Sequence, residues 1–250
     1  MKEPQIIQYQ RVTSTNDVAK MLLRNQCSEE TLITAEEQTH GRGRHQRRWF
    51  SAKGLGLYMS LIYKPVQMEA YSAFALFPAC AVSRAVKNLS GIQLKLKWPN
   101  DIMYDGNKVG GILIESVFKQ THPLGLVVGM GLNLYHQNED LTRLPQKSVS
   151  LSSFSKQKID KNALMTEIVH QMQSYYSRGR LCIDPDRICR EWNQLCCHLF
   201  KSVTISTHTE TYTAIFKGIR RDGGAILDKQ GQEIIIYSGE CSLSEMSACF

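Results

Sequence analysis

An arginine-rich stretch, residues 38–51, carries the side chains best suited to chemistry in this sequence. It contains two glycines, four arginines and a closing aromatic pair: Gly41, Arg42, Gly43, Arg44, Arg47, Arg48, Trp49 and Phe50. Guanidinium groups form forked hydrogen bonds with phosphates and carboxylates, and glycine permits φ > 0 and close backbone approach. The stretch predicts a mobile loop that closes over a phosphate-bearing ligand. A solvated basic loop or an arginine-rich nucleic-acid contact would have the same composition.

Two further segments place polar side chains at the ends of predicted strands. Ser14-Thr15-Asn16 lies between a predicted strand and a helix, where plain helix capping by Ser14 with Asp17 is the alternative. Lys97-Trp98-Pro99-Asn100-Asp101 follows another strand, and the proline keeps the preceding residue out of helical geometry. Its Asn-Asp pair is placed for ligand contact, or for an Asx turn that feeds the next hairpin.

Glycine pairs lie in two predicted apolar strands, and a lysine precedes the first pair. Lys108-Val109-Gly110-Gly111 begins one of them, and Gly129-Met130-Gly131-Leu132-Asn133 ends the next. Glycine within a strand often marks close approach of a ligand or another backbone, and a lysine there would offer charge to a developing anion. An exposed hairpin lysine is the alternative. The second segment lacks the third glycine of a dinucleotide fingerprint.

Periodicity predicts the elements that position these segments. Strands are expected at residues 5–12, 31–35, 55–63, 93–97, 102–104, 109–118 and 124–134. Asp105-Gly106-Asn107 is a strong hairpin signal. Helices are expected after Ser14, over residues 71–89, after Asp160 and over residues 186–196. In the second of these, Pro78 should mark a kink or a start, and Gly91 should end the helix. Residues 136–158 are expected to form a surface connection.

The last fifty residues have a different pattern. Short predicted strands near 201–206, 211–218, 225–228 and 233–237, with Gly-Gly and Gln-Gly turns between them, suggest a small barrel. We therefore predict two domains, residues 1–197 and 198–250.

Composition limits the class of protein. The chain has 250 residues, 42% hydrophobic and 21% charged, which are globular values. No apolar run has the roughly 18 residues of a membrane span, and residues 1–10 do not resemble a signal peptide. We expect a cytoplasmic protein that is not bound to a membrane. A net charge of +7 fits an anionic ligand, an acidic partner or nucleic acid.

The eight cysteines form no common zinc pattern. Cys182, Cys189 and Cys196 recur every seven residues, which could place some on one helical face. In a cytosolic protein we expect reduced, mostly buried thiols.

In this order, the segments resemble the biotin–protein ligase family, and the resemblance covers nearly the whole chain. The residues that carry it are Ser14-Thr15-Asn16, Gln38-x-x-Gly41-Arg42-Gly43-Arg44 with Arg47-x-Trp49-x-Ser51, Lys97-Trp98-Pro99-Asn100-Asp101, Lys108-x-x-Gly111 and Gly129-x-Gly131-x-Asn133. The family implies an α+β fold: a mixed sheet backed by helices, of the class II aminoacyl-tRNA synthetase and biotin ligase type, followed by a small SH3-like barrel.

The resemblance also implies a two-step reaction. Biotin attacks the α-phosphate of MgATP to give biotinyl-5′-AMP, and a lysine of the biotin carboxyl carrier domain of acetyl-CoA carboxylase, or of a related carboxylase, then displaces AMP. Family members are monomers or homodimers. Magnesium is expected to arrive with ATP, without a separate protein metal site.

The site residues are carried over from the family motifs. Biotin contacts are implied for Ser14, Thr15, Asn16, Gln38, Gly41, Arg42, Gly43, Arg44, Lys108 and Gly111. Nucleotide contacts are implied for Arg44, Arg47, Trp49, Asn100, Asp101 and Asn133. Arg44 and Lys108 would be catalytic, meeting the biotin carboxylate and the α-phosphate.

The chain departs from the family at three places. Gln46 stands where glycine is frequent, which puts loop closure in doubt; Ala52 replaces a frequent proline; and Ser244 replaces an arginine that contacts the nucleotide.

Three alternatives are weighed against this prediction. Biotin-dependent repressors carry a helix-turn-helix of about sixty residues, whereas thirteen residues precede Ser14, so we expect no operator binding. Lipoate ligases share the architecture without the Gly-Arg-Gly-Arg and Lys-Trp-Pro-Asn-Asp segments. An RNA-binding protein would present stacking aromatics on a strand face, and the sequence has no such pattern.

Overall fold

The computed structural model of the protein describes residues 4–28, 30–64, 73–142, 144, 146–178 and 180–243. Its larger sheet has seven strands: β1 (Ile6–Val12), β2 (Leu32–Gln38), β3 (Gly56–Tyr63), β4 (Lys95–Lys97), β5 (Asp101–Tyr104), β6 (Asn107–Lys119) and β7 (His122–Asn133). Their spatial order is β1-β2-β3-β7-β6-β5-β4. Only β1 and β2 pair in parallel, so the sheet is mixed, as predicted.

The centre of this sheet is covered on both faces. All eight residues of β3 are buried, which explains its nearly continuous apolar sequence. Helix α1 (Thr15–Arg24) packs one side of the sheet through Ala19 and Leu23, against Ile33 of β2 and Val127 of β7.

The described part of the chain has four more α-helices: α2 (Phe77–Ser90), α3 (Asn138–Thr142), α4 (Lys161–Tyr175) and α5 (Pro185–Leu195). The main apolar core is built from α2, α4, α5 and the opposite face of the sheet. Pro78 lies in the first turn of α2, and Gly91 ends that helix at φ +73°, as predicted. Asp160 caps α4 by accepting a hydrogen bond from the Ala163 N–H at 2.8 Å.

Three sequence predictions on these elements are wrong or incomplete. Ser14 occupies the N-cap position of α1 but makes no capping hydrogen bond through its side chain, and the Asp17 carboxylate pairs with Arg42 and Lys20. Within the described residues helix α2 begins at Phe77 rather than at 71, and residues 71 and 72 lie outside the described part. The connection after β7 contains α3 and packs on β6, so it is part of the site.

The second sheet is antiparallel, with the order β13-β12-β11-β10-β14. Its strands are β10 (Ser202–Ser206), β11 (Thr211–Ile219), β12 (Ala225–Lys229), β13 (Gln232–Ile236) and β14 (Glu240–Leu243). A short hairpin of β8 (Tyr176–Ser177) and β9 (Arg180–Leu181) precedes α5. Five short strands match the predicted SH3-like unit, although within residues 202–243 the edge strands β13 and β14 do not pair and the barrel stays open.

One apolar core runs from the larger sheet into the smaller one. Val203, Ile205 and Phe216 of the second sheet belong to the same buried cluster as α2 and α5. The boundary at residue 197 stays a prediction, whereas the continuous core is an observed feature of the described residues.

Three of the seven described cysteines are buried: Cys80, Cys196 and Cys241. The seven described cysteines are free. Cys189 lies on α5, whereas Cys182 precedes that helix and Cys196 follows it. The seven-residue spacing therefore does not place them on one helical face.

Candidate functional site

The arginine-rich stretch folds as a tight β-hairpin over residues 41–49, which we call the arginine hairpin. The Trp49 N–H donates to the Gly41 carbonyl at 2.8 Å, and the Gly43 N–H donates to the Arg47 carbonyl at 2.7 Å. At the tip, His45 and Gln46 have φ values of +52° and +58°. Two consecutive residues with φ > 0 are what a type I′ hairpin turn requires.

Gln46 is therefore strained in the conformation that closes the hairpin. A residue other than glycine in this region costs roughly 1–2 kcal/mol. We expect Gln46→Gly to raise the equilibrium constant for folding of the hairpin about fivefold, measured as slower tryptic cleavage after Arg47 and Arg48. Gln46→Ala keeps the strain and should be cleaved like wild type. Faster cleavage of Gln46→Gly than of wild type would contradict this prediction.

Two of the hairpin arginines already have carboxylate partners. Both terminal nitrogens of Arg42 donate to Asp17 of α1, at 2.7 and 2.5 Å. The Arg42 guanidinium holds the pKa of the Asp17 carboxyl below its usual value. Arg47 forms an ion pair with Glu240 of the second sheet. The positive charge of Arg42, which we expected to meet a ligand, is thus balanced by Asp17 within the protein.

Arg44 differs from these neighbours. Its Nη1 donates to the Gly239 carbonyl at 2.9 Å, and no ion pair with a carboxylate is found for it among the described residues. The side chain is half-buried, and burial lowers the pKa of its guanidinium from the ordinary value. Arg44 also lines a cavity of about 210 Å³ between the two sheets, together with Trp98, Asn100 and Asp222. It is therefore a guanidinium with spare hydrogen-bond donors.

A cluster of buried oxygen atoms joins α1 to β2 and β3. The Gln38 Oε1 accepts from the Thr15 N–H at 2.9 Å and lies 3.2 Å from Thr15 Oγ1. Ser60 Oγ lies 2.8 Å from Thr15 Oγ1 and 2.6 Å from Asn16 Oδ1. Three oxygen–oxygen contacts share only the two hydroxyl protons of Thr15 and Ser60. The cluster therefore favours a ligand that donates hydrogen bonds. Ser60 was missed from the sequence, where a serine in the middle of β3 is the one signal.

The amide nitrogen of Asn16 is engaged by two acceptors of the protein. Its Nδ2 donates to Glu115 Oε2 at 2.7 Å and approaches the Leu113 carbonyl at 3.4 Å. Glu115 also accepts from Lys20 at 2.8 Å. Asn16 thus positions the oxygen cluster rather than presenting free hydrogen-bonding atoms, and Glu115 is a site residue that sequence motifs did not indicate.

Gly129 is required where Asn16 crosses β7. A Cβ at Gly129 would lie 2.2 Å from Asn16 Oδ1, well inside contact distance. We expect Gly129→Ala to displace Asn16 and to cost about 1–3 kcal/mol of stability. It should also raise the KM for the ligand that donates hydrogen bonds to the oxygen cluster about tenfold or more. Gly106→Ala is the control for KM, because a Cβ at that turn meets nothing within 4 Å. Alanine at its φ of +72° should cost stability without displacing Asn16. An unchanged KM in a folded Gly129→Ala variant would contradict the prediction.

Lys108 lies at the start of β6 with its side chain directed inward. It forms an ion pair with Asp101, and the two side chains are 17% and 14% exposed. Its Nζ lies 5.4 Å from the centre of the Trp49 ring. That ring fills the space where Gly131 lacks a side chain, 2.6 Å from an ideal Cβ. Gly129 and Gly131 are two residues apart in β7 and share one face, so the oxygen cluster and Lys108 are neighbours.

The two asparagines predicted to contact the nucleotide bind backbone groups. Asn100 Nδ2 donates to the Ile112 carbonyl at 2.9 Å. Asn133 is buried, and its Nδ2 approaches the Val149 carbonyl at 3.4 Å. The Val149 N–H in turn donates to the Lys108 carbonyl at 2.9 Å. These hydrogen bonds hold the segment around Val149 against β6 and β7, next to Lys108.

The remaining predicted residues lie at the edges of this arrangement. Gly41 and Gly43 are in the first arm of the hairpin, Gly111 is in β6 opposite Asp101, and Ser14 is buried at the start of α1. Among the described residues, no group of three metal-ligating side chains is found. No helix in the described part of the chain is long and apolar enough to cross a membrane.

Comparison with known proteins agrees with this geometry. Residues 8–133 match the Biotin/lipoate A/B protein ligase family, and residues 198–244 match the Biotin protein ligase C terminal domain. The bifunctional ligase/repressor BirA of Bacillus spizizenii is 31% identical over 93% of this chain and 72% of its own length. The biotin–[acetyl-CoA-carboxylase] ligase of Mycobacterium tuberculosis is 28% identical over 84% of this chain and 77% of its own length.

A solved structure has the same fold. The biotin protein ligase from Aquifex aeolicus, in complex with biotin and ATP, superposes with a TM-score of 0.78 at 24% identity, covering 96% of this chain and 98% of its own. The two matched regions and the alignment over 93% of the chain lead to one assignment: the chain belongs to the biotin/lipoate A/B protein ligase family.

Proposed function

We propose that this protein is an ATP-dependent biotin–protein ligase that attaches biotin to a lysine of a biotin carboxyl carrier protein. The observation that carries the proposal is the meeting of two features on one sheet face. An oxygen cluster short of protons lies over Gly129, and Lys108 lies beside it against Trp49. Arg44 interacts electrostatically with Asp101, the ion-pair partner of Lys108. This arrangement suits a molecule with N–H groups at one end and a carboxylate at the other.

The oxygen cluster is the proposed site for the ring system of biotin. A ureido ring presents two N–H donors, which complete the contacts that Thr15, Ser60 and Gln38 leave short of protons. Asn16 and Glu115 hold the cluster in place. Thr15, Asn16 and Ser60 are buried, so water competes little with the hydrogen bonds that a ligand donates there.

Lys108 and Arg44 are the proposed catalytic cations of the first step. A carboxylate oxygen of biotin attacks the α-phosphorus of MgATP, the bond to pyrophosphate breaks, and biotinyl-5′-AMP forms. Both reactants are anions, so fixed positive charge and correct placement lower the barrier. Magnesium enters as part of the MgATP substrate. Arg47, Trp49, Asn100, Asp101 and Asn133 are proposed to shape the nucleotide side.

The arginine hairpin is proposed to protect the intermediate. In the second step the amine of the carrier lysine attacks the acyl carbonyl, an amide bond forms, and AMP leaves with a proton released to solvent. An acyl-adenylate reacts with water, so a hairpin tied to α1 through Arg42 and to the second sheet through Arg44 would exclude water until the carrier binds.

Incubation with biotin, MgATP and an apo carrier domain tests the proposal. Streptavidin should detect the carrier only when all three are present, and lipoate should not replace biotin. Transfer of lipoate at a similar rate would favour the lipoate ligase alternative, and no transfer of either acid would overturn the proposal.

Some finer expectations stay predictions. They are the domain boundary at residue 197, a cytoplasmic location, a possible homodimer and the absence of operator binding. Protection of a biotin operon by this protein at physiological salt would contradict the last of these.

A further inference from the structure

His136 is a buried imidazole for which the proposed chemistry has no use so far. It lies three residues beyond Asn133 and is 2% exposed. Neither Nδ1 nor Nε2 has a hydrogen-bond partner among the described residues. Buried polar atoms are nearly always paired in proteins, and an exception calls for an explanation such as an absent ligand.

His136 lies on the side of the site where the nucleotide is proposed to bind. The Lys108 carbonyl binds the Val149 N–H at 2.9 Å, and Ser150, the next residue, donates through Oγ to the His136 carbonyl at 2.9 Å. The same segment therefore runs from Lys108 past Asn133 to His136. The His136 ring packs on Phe50 with centroids 5.6 Å apart, directly after Trp49, whose Nε1 is also buried without a partner.

We propose that His136 recognises the base of the nucleotide, by accepting a hydrogen bond from the exocyclic amine of adenine. The inference rests on the proposed function, because it takes Lys108 as the phosphate end of the site. The base then lies beyond Asn133, towards His136 and Phe50. Burial lowers the pKa of the imidazole, against the opposing effect of Asp140. The ring is therefore neutral at physiological pH and has a lone pair free to accept.

The test combines a change in the protein with a change in the nucleotide. Biotin-dependent pyrophosphate exchange is measured with ATP and with the analogue that lacks the exocyclic amine. Wild type should lose about tenfold in kcat/KM with the analogue. His136→Phe should exchange equally with both nucleotides, because the amine has lost its acceptor. His136→Gln retains a side-chain acceptor and should recover part of the preference for ATP.

His198 provides a matched control. It is 1% exposed, its Nε2 has no hydrogen-bond partner among the described residues, and its ring packs on Phe216 at 4.2 Å. His198→Phe should keep the tenfold preference for ATP. Equal rates with both nucleotides in wild type, or a full preference in His136→Phe, would overturn the inference while leaving the ligase proposal intact. Wild type that exchanges pyrophosphate with neither nucleotide would overturn the proposed function and the inference together.

Discussion

Arg44→Ala is expected to slow the formation of biotinyl-AMP by about 10²- to 10³-fold, the usual effect of removing one preorganised donor from a developing anion. Arg44 is half-buried, and it makes its described hydrogen bond to the Gly239 carbonyl rather than to a carboxylate. Its charge is therefore available to the reacting groups, unlike that of Arg42 or Arg47. Biotin-dependent pyrophosphate exchange measures the rate directly.

Arg48→Ala is the matched control for this variant. Arg48 belongs to the same hairpin, carries the same charge and is exposed. If general positive charge in the loop were sufficient, the two variants would behave alike. Near wild-type exchange in Arg44→Ala would contradict the catalytic assignment, unless chromatography finds biotinyl-AMP released into solution. Release would assign Arg44 to retention of the intermediate instead.

The elements around the site could be predicted because each has a local cause. The turn at Asp105-Gly106 pairs Tyr104 with Asn107, as its sequence requires. Pro78 and Gly91 mark the ends of α2 by their backbone restrictions. Gly129 and Gly131 correctly indicated close approach, although the approaching groups are Asn16 and Trp49 of the chain itself.

The hairpin conformation could not be predicted from the same signals. Gly41 and Gly43 suggested a flexible loop, but the residues with φ > 0 are His45 and Gln46. Their conformation is set by long-range contacts with the second sheet, including the Arg44–Gly239 hydrogen bond and the contact of His45 with His208. Such contacts connect residues more than 160 positions apart, and no local pattern encodes them.

Charge pairing was the second feature beyond sequence-based prediction. Four arginines in seven positions suggested a strongly cationic loop. Folding brings Asp17 and Glu240 to two of them, and Glu115 to Lys20. Net charge is additive along a sequence, whereas local potential depends on which carboxylates the fold places nearby. Arg44 is the half-buried hairpin arginine for which no ion pair is found among the described residues, whereas Lys108 keeps its ion pair with Asp101.

Lys108→Met is expected to reduce biotin-dependent pyrophosphate exchange by about 10²- to 10³-fold. Methionine keeps an unbranched side chain of similar length against Trp49 but removes the ammonium group. Lys95→Met on β4 is the control, because that lysine is exposed. Exchange at the wild-type rate in Lys108→Met would remove this residue from the mechanism.

Part of the loss in Lys108→Met should come from the partner that it leaves behind. Asp101 is 14% exposed and would remain as a carboxylate without its cation, close to where the triphosphate is proposed to bind. Like charges repel strongly when they are poorly solvated. Adding Asp101→Asn to Lys108→Met should therefore lower the KM for ATP while leaving kcat low. If the fold-loss in exchange of the double variant instead equals the product of the fold-losses of the two single variants, Asp101 and Lys108 act independently. Asp101 would then contact the nucleotide itself rather than orient the lysine.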